Sequence, residues 1–178
     1  DANDDEYRIM LTGSIYDGSD FRILMDVLEQ WLRRLAPADA RRVTLAYAGG
    51  DRDRVEETLA PLAATCTIEI NGFLPLEELR RLQVGAGLNI YVQSQTGPYR
   101  QKFMELLTVR RPILCFPGEA EESIAIAETV GGELHSCDTP SDIAASLDTV
   151  WRRRHGAPVA IDRAALGRYS WESQADRL

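Results

Sequence analysis

Short apolar runs alternate along this chain with longer stretches in which apolar residues recur every three or four positions. The runs Tyr7–Thr12, Arg42–Tyr47, Cys66–Ile70, Leu88–Val92, Ile113–Phe116 and Glu133–His135 predict six strands. Several are apolar enough to be covered on both faces. Phe21, Leu24, Leu28, Trp31, Leu32 and Leu35 share one face of a first helix, which Ser19 or Asp20 can cap. Asp51 can cap a second helix toward Ala64, which Pro61 bends or ends early. A short helix follows Pro75, from Leu76 to Val84. Pro98 suits the first turn of the next helix, whose apolar face is Phe103, Leu106 and Leu107. Arg111-Pro112 ends it, because the residue before proline avoids the α region. Glu119 to Thr129 is helical and Gly131-Gly132 stops it. Thr139-Pro140, a cap followed by a first-turn proline, starts a helix toward Arg154. Ala157 to Ile161 connects this to a short helical piece capped by Asp162. Ser170 caps a last one, Trp171 to Leu178.

Strands that alternate with helices imply βαβ units, and so an α/β fold: a Rossmann-like three-layer sandwich around a six-stranded parallel sheet. Ligands bind such sheets at the carboxyl ends of the strands. Four loops are expected there: Gly13 to Ser19, Gly49 to Asp51, Asn71 to Leu74, and Ser94 to Lys102.

Composition narrows the chemistry. The 178 residues suit one domain, read as 7–178, with residues 1–6 as a linker or trimmed edge. A net charge of −8 argues against a general binder of nucleic acid or anionic membrane, so an anionic ligand would need a local cation. Lys102 is the only lysine in the chain, every other basic side chain apart from the two histidines being arginine. It stands three residues from Glu105, beside it on the helix surface, where it could pair with that glutamate or reach a phosphate. Cys66, Cys115 and Cys137 are widely spaced and odd in number, and read as reduced thiols of a cytosolic protein. No Cys or His spacing suggests a metal site, and no apolar run is long enough to span a bilayer. Asp51-Arg-Asp53 matches a short metal-binding pattern but opens a helix, where acids favour the macrodipole. His135 and His155 form no triad spacing. Arg152-Arg-Arg154 closes a helix, where cations are favoured, and Glu119, Glu121 and Glu122 open one, most of them reading as surface acids that complement the dipole.

Four segments, in order, resemble the carboxyl-terminal donor-binding domain of retaining glycosyltransferases with the two-Rossmann-domain (GT-B) architecture. Gly72-Phe73-Leu74-Pro75 with Glu77-Glu78-Leu79 is similar to the family's glycine–hydrophobic … E-E-L segment. Lys102-Phe-Met-Glu105-Leu-Leu … Arg111-Pro112-Ile-Leu resembles its K-x-x-E-Y-L-A-x-G-x-P-V signature. Gly131-Gly132 followed by Asp138 and a helix matches the next landmark, and Tyr169-Ser-Trp171 the F-S-W before the final helix.

The resemblance implies one half of a GT-B fold that binds a nucleoside diphosphate sugar, with no metal or cofactor. It implies that Glu105 holds the ribose hydroxyls and that Gly72, Phe73 and Leu74 lie against the base. The diphosphate would sit over Gly13 and Ser14 and the loop through Gly97, with Arg100 or Lys102 nearby. An amino-terminal acceptor domain of the same protein would complete a cytoplasmic hexosyltransferase, with membrane contact left to that domain and the isolated donor half inactive. The chain departs from the family twice. Ser14 and Asp17-Gly18-Ser19 stand where many members carry an arginine and a lysine, and Gly97 stands where many carry a glutamate that touches the donor sugar. Those departures keep a non-catalytic scaffold open as an alternative, beside half of a nucleotide-sugar epimerase.

Overall fold

The computed structural model describes residues 6–15, 18–93 and 101–169. Strands β1 (Tyr7–Thr12), β2 (Val43–Ala48), β3 (Thr67–Asn71), β4 (Leu88–Val92), β5 (Ile113–Phe116) and β6 (Leu134–Ser136) form one sheet, in the order β3-β2-β1-β4-β5-β6. Every neighbouring pair is parallel. The helices are α1 (Gly18–Arg34), α2 (Pro37–Ala40), α3 (Arg52–Leu59), α4 (Leu76–Gly85), α5 (Gln101–Leu107), α6 (Glu121–Val130), α7 (Pro140–Arg152) and α8 (Arg163–Gly167). The expected α/β sandwich is therefore present, and the strand order reverses direction between β1 and β4.

The period of two along each strand divides the core. Tyr7, Ile9 and Leu11 of β1, Val43, Leu45 and Tyr47 of β2 and Leu88 and Ile90 of β4 pack against α1, α3 and α7. Met10 of β1 and Ala46 and Ala48 of β2 face the opposite way, against Leu79 and Leu82 of α4. Tyr91, Ile113 and Cys115 join that second face beneath Phe103, Leu106 and Leu107 of α5 and Ile126 of α6. The two alanines of β2 leave room for α4 to lie close to the sheet.

Element boundaries moved for identifiable reasons. Strands β2, β3 and β6 begin one residue later than the apolar runs suggest. Arg42 and Glu133 lend the sheet only their carbonyls, accepting from the N–H groups of Tyr7 (2.8 Å) and Ile113 (2.9 Å). Helix α1 starts at Gly18, so Ser19 and Asp20 lie within its first turn instead of before it. Helix α5 stops at Leu107, short of the Arg111-Pro112 boundary. Thr108, Val109 and Arg110 each donate to a carbonyl three residues back, and Arg110 then turns into the left-handed region at φ 60°. Val159 N–H donates to the Arg110 carbonyl (3.2 Å), and Arg110 Nε donates to that of Val159 (3.2 Å), holding this unusual backbone. Pro61 sits in a 3₁₀ turn, Ala60–Ala64, that continues α3, as the proline suggests. The Thr139 cap on α7 is a full capping box with Asp142, and Asp162 caps α8 through the N–H of Ala165 (3.0 Å). The Ser170-capped helix and the serine and tryptophan of Tyr169-Ser-Trp171 lie outside the described residues.

Trp151 fastens α7 to the sheet and to α1. Its ring meets Tyr7 edge-on at 5.1 Å and Trp31 at 5.7 Å between centroids. Trp31 is 1% exposed, so truncating it leaves a void that neighbours cannot fill. Trp31→Ala is expected to lower unfolding free energy by about 3–5 kcal/mol, measured by urea denaturation followed by circular dichroism.

Candidate functional site

The site is built where the strand order reverses. Gly13 follows β1 with φ +105°, a conformation that side chains rarely adopt. Its N–H donates to Ala48 O (3.1 Å), and its carbonyl accepts from the Tyr47 hydroxyl (3.0 Å). That hydroxyl in turn accepts from the N–H of Asp51 (3.0 Å). Burial raises the Tyr47 pKa, with the nearby Asp51 charge adding to it and the Asp51 N–H opposing, so the phenol stays a donor at neutral pH. Asp51 completes the clamp by accepting from Ile15 N–H at 2.8 Å. Asp51 therefore makes no side-chain cap on α3, contrary to the sequence expectation, because its carboxylate is spent on the β1–α1 loop. Among the described residues no cluster of acids, histidines and cysteines could hold a metal, and Asp53 gains no partner for one.

Helix α5 reaches this turn from the far side of the crossover. A Cβ placed on Gly13 would stand 3.7 Å from Lys102 Cε, so the lysine stem lies over the glycine. Lys102 Nζ donates to Glu105 Oε2 at 2.7 Å, with side-chain exposures of 31% and 36%. Of the two sequence readings of Lys102, the pairing with Glu105 is present, and the stem also lies over the β1 turn. Phe103 and Leu106, buried on the other side of α5, hold that orientation against β4 and β5. Gly97 and Arg100 lie outside the described residues.

The other loops close the third side. Phe73 is 86% exposed after β3, and its ring edge lies 3.0 Å from where a Gly50 Cβ would stand. Leu74 turns inward and packs on the cluster of Met10, Ala46, Ala48 and Ala86. Gly72 has open space beside it, and Ser14 is exposed between Gly13 and Ile15. Gly13, Ser14, Lys102 and Glu105 form one group, and Gly72, Phe73 and Leu74 a second that reaches it through Gly50 and the clamped turn.

A further carboxylate was misjudged from sequence. Glu119 is not a free surface acid: its Oε1 accepts from the Tyr91 hydroxyl (2.5 Å) and the Gln93 amide (2.9 Å). Its N–H donates to Ser136 Oγ at 2.8 Å. Burial, reinforced by Cys115 and Glu119, pushes the Tyr91 pKa far up, and burial does the same to the Cys115 thiol. No spacing in the sequence signals this network, since it joins the ends of β4, β5 and β6. The arginines after α7 are engaged locally: Arg152 Nε donates to Asp148 O (3.0 Å), Arg153 meets Glu133 (3.4 Å), and Arg154 lies over the Trp151 ring (4.1 Å). His135 also faces Glu133, at 3.2 Å. All three cysteines are buried and free.

Gly49 is the tightest point of the clamp. A Cβ there would overlap the Gly13 carbonyl and the Tyr47 hydroxyl. Gly49→Ala is expected to cost about 1–3 kcal/mol of stability in urea denaturation, since backbone and a buried phenol must shift together. A cost equal to that of a surface substitution would mean the clamp does not hold the turn.

No family model matches the sequence, and no curated protein does. Solved structures do match. Anabaena HepE, solved with UDP and glucose, aligns over 85% of this chain and 40% of its own at 16% identity, with a TM-score of 0.60. A glycosyltransferase from Rickettsia africae aligns over 90% of this chain and 42% of its own at 17% identity and TM-score 0.62. A Listeria monocytogenes protein assigned as a UDP-N-acetylglucosamine 2-epimerase aligns over 98% of this chain and 46% of its own at 13% identity and TM-score 0.61. The chain thus spans less than half the length of each of these proteins. The likeness is one of fold: a six-stranded parallel Rossmann-like domain, corresponding to one half of the GT-B architecture.

Proposed function

We propose that this chain is the donor-binding half of a glycosyltransferase and that it binds a nucleoside diphosphate sugar between Gly13, Lys102 and Glu105. The observation that carries the proposal is the Lys102 stem lying over the left-handed Gly13 turn while its ammonium pairs with Glu105. It places one cation and one carboxylate together at the topological switch point, the usual ligand position in open α/β sheets.

The chemistry of the two side chains divides between the two ends of such a ligand. An ionised carboxylate accepts from both hydroxyls of a vicinal diol, so Glu105 suits the ribose. An ammonium is a compact charge with rotatable donors, so Lys102 suits the diphosphate over Gly13 and Ser14. The pair must part for this to happen. Because both side chains are about a third exposed, the ion pair is worth no more than about 1 kcal/mol, and a ligand that engages both partners exceeds it. Phe73 offers an exposed aromatic face for the base beside Gly50. The UDP in the HepE structure supports uracil as the base.

The Listeria neighbour supports a second reading, half of a nucleotide-sugar epimerase, which shares the donor-binding step. The acceptor and the sugar transfer belong to the longer protein that the relatives' lengths suggest. Calorimetric titration with UDP, GDP, ADP and dTDP tests the shared step. One diphosphate is expected to bind, and Glu105→Ala to weaken it by about tenfold or more, as for a lost pair of charge-assisted hydrogen bonds. Equal affinity in the variant would remove Glu105 from the site.

A further inference from the structure

We infer that Arg54 supplies a second cation for the diphosphate, replacing the basic residues that the β1–α1 loop lacks; the inference rests on the nucleotide reading above. The loop from Gly13 to Ser19 carries no basic residue of its own. Arg54, on the first turn of α3, is solvent-exposed and lies against that loop. Its Nη1 donates to Ile15 O at 3.2 Å and stands 3.8 Å from where a Cβ on Gly18 would be. Lys102 lies over Gly13 at the other end of the same turn. Ser14, the residue after Gly13, is exposed.

Charge balance favours a second cation. Even after Lys102 has left Glu105, a diphosphate carries more negative charge than one lysine balances. The protein as a whole, at −8, repels such a ligand. The clamp fixes where Arg54 can act. Asp51 accepts from the N–H of Ile15 and Arg54 donates to its carbonyl, so the start of α3 is tied to the turn after β1. The guanidinium has five N–H bonds, and one interaction with a carbonyl leaves donors for a phosphate oxygen. Nothing in the sequence marks Arg54, because it lies on the helix after β2 while the loop it serves follows β1.

The test compares wild type, Arg54→Gln and Arg54→Lys by calorimetric titration with UDP, UMP and uridine at two ionic strengths, with thermal melts on each variant. Gln keeps a donor for Ile15 O and removes the charge; Lys keeps the charge. Arg54→Gln is expected to bind UDP about tenfold more weakly, to bind uridine unchanged, and to show a flatter salt dependence. Arg54→Lys is expected to stay within about threefold of wild type, the difference being the fork geometry alone. Unchanged UDP affinity and salt dependence in Arg54→Gln, with Glu105→Ala still weakened, overturns the inference and spares the nucleotide reading. Equal losses in the Gln and Lys variants also overturn it, assigning Arg54 to loop shape. Absence of UDP binding in wild type overturns both.

Discussion

The hydroxyl of Tyr47 joins the carboxyl ends of two neighbouring strands, and the site depends on it. It donates to the carbonyl of Gly13 and accepts from the N–H of Asp51, so a single buried oxygen sets the path of both the β1 and β2 exits. A hydrogen bond to a half-buried carbonyl is worth about 1 kcal/mol, which helps keep the phenol in place and the turn in its left-handed form. Gly49 has no side chain because the phenol and the Gly13 carbonyl occupy that volume. From this fixed turn the rest follows: Ile15 is held at both its N–H and its carbonyl, and Lys102 has a flat glycine surface to cross.

The fold was legible because its signal is periodic and local. Six apolar runs spaced by amphipathic helices admit little besides a parallel sheet, and the caps at Thr139 and Asp162 are local chemistry as well. What escaped the sequence are the places where a distant partner takes a side chain or a backbone group. Asp51 looks like a helix cap, but Ile15, thirty-six positions away, claims its carboxylate. Glu119 looks like a surface acid, but Tyr91 and Gln93 claim it. Helix α5 looks as if Pro112 ends it, but Val159 stabilises an earlier turn at Arg110. Each partner lies on another strand or loop end, where neither periodicity nor spacing carries information.

The candidate site shows the same division. Lys102 and Glu105 stood out by composition and by their three-residue separation, and the structure pairs them. Their position over Gly13 follows from the strand order β1-β4, which no local signal encodes. The Glu119 network and the Lys102–Glu105 pair are separate arrangements of the sheet's carboxyl edge. The first ties together the ends of β4, β5 and β6 through fully engaged hydrogen bonds. The second is a single ion pair, about a third exposed, whose partners the proposed ligand exchanges for its own. That contrast in hydrogen bonding is why the proposed ligand site is the latter, with the former left as support.

A crystal structure of this chain with UDP tests that exchange most directly. The expected result is a nucleotide at the β1–β4 crossover, with Glu105 on the ribose hydroxyls and Lys102 moved from Glu105 to a phosphate oxygen above Gly13. UDP bound elsewhere, with the Lys102–Glu105 pair intact, would contradict the central claim.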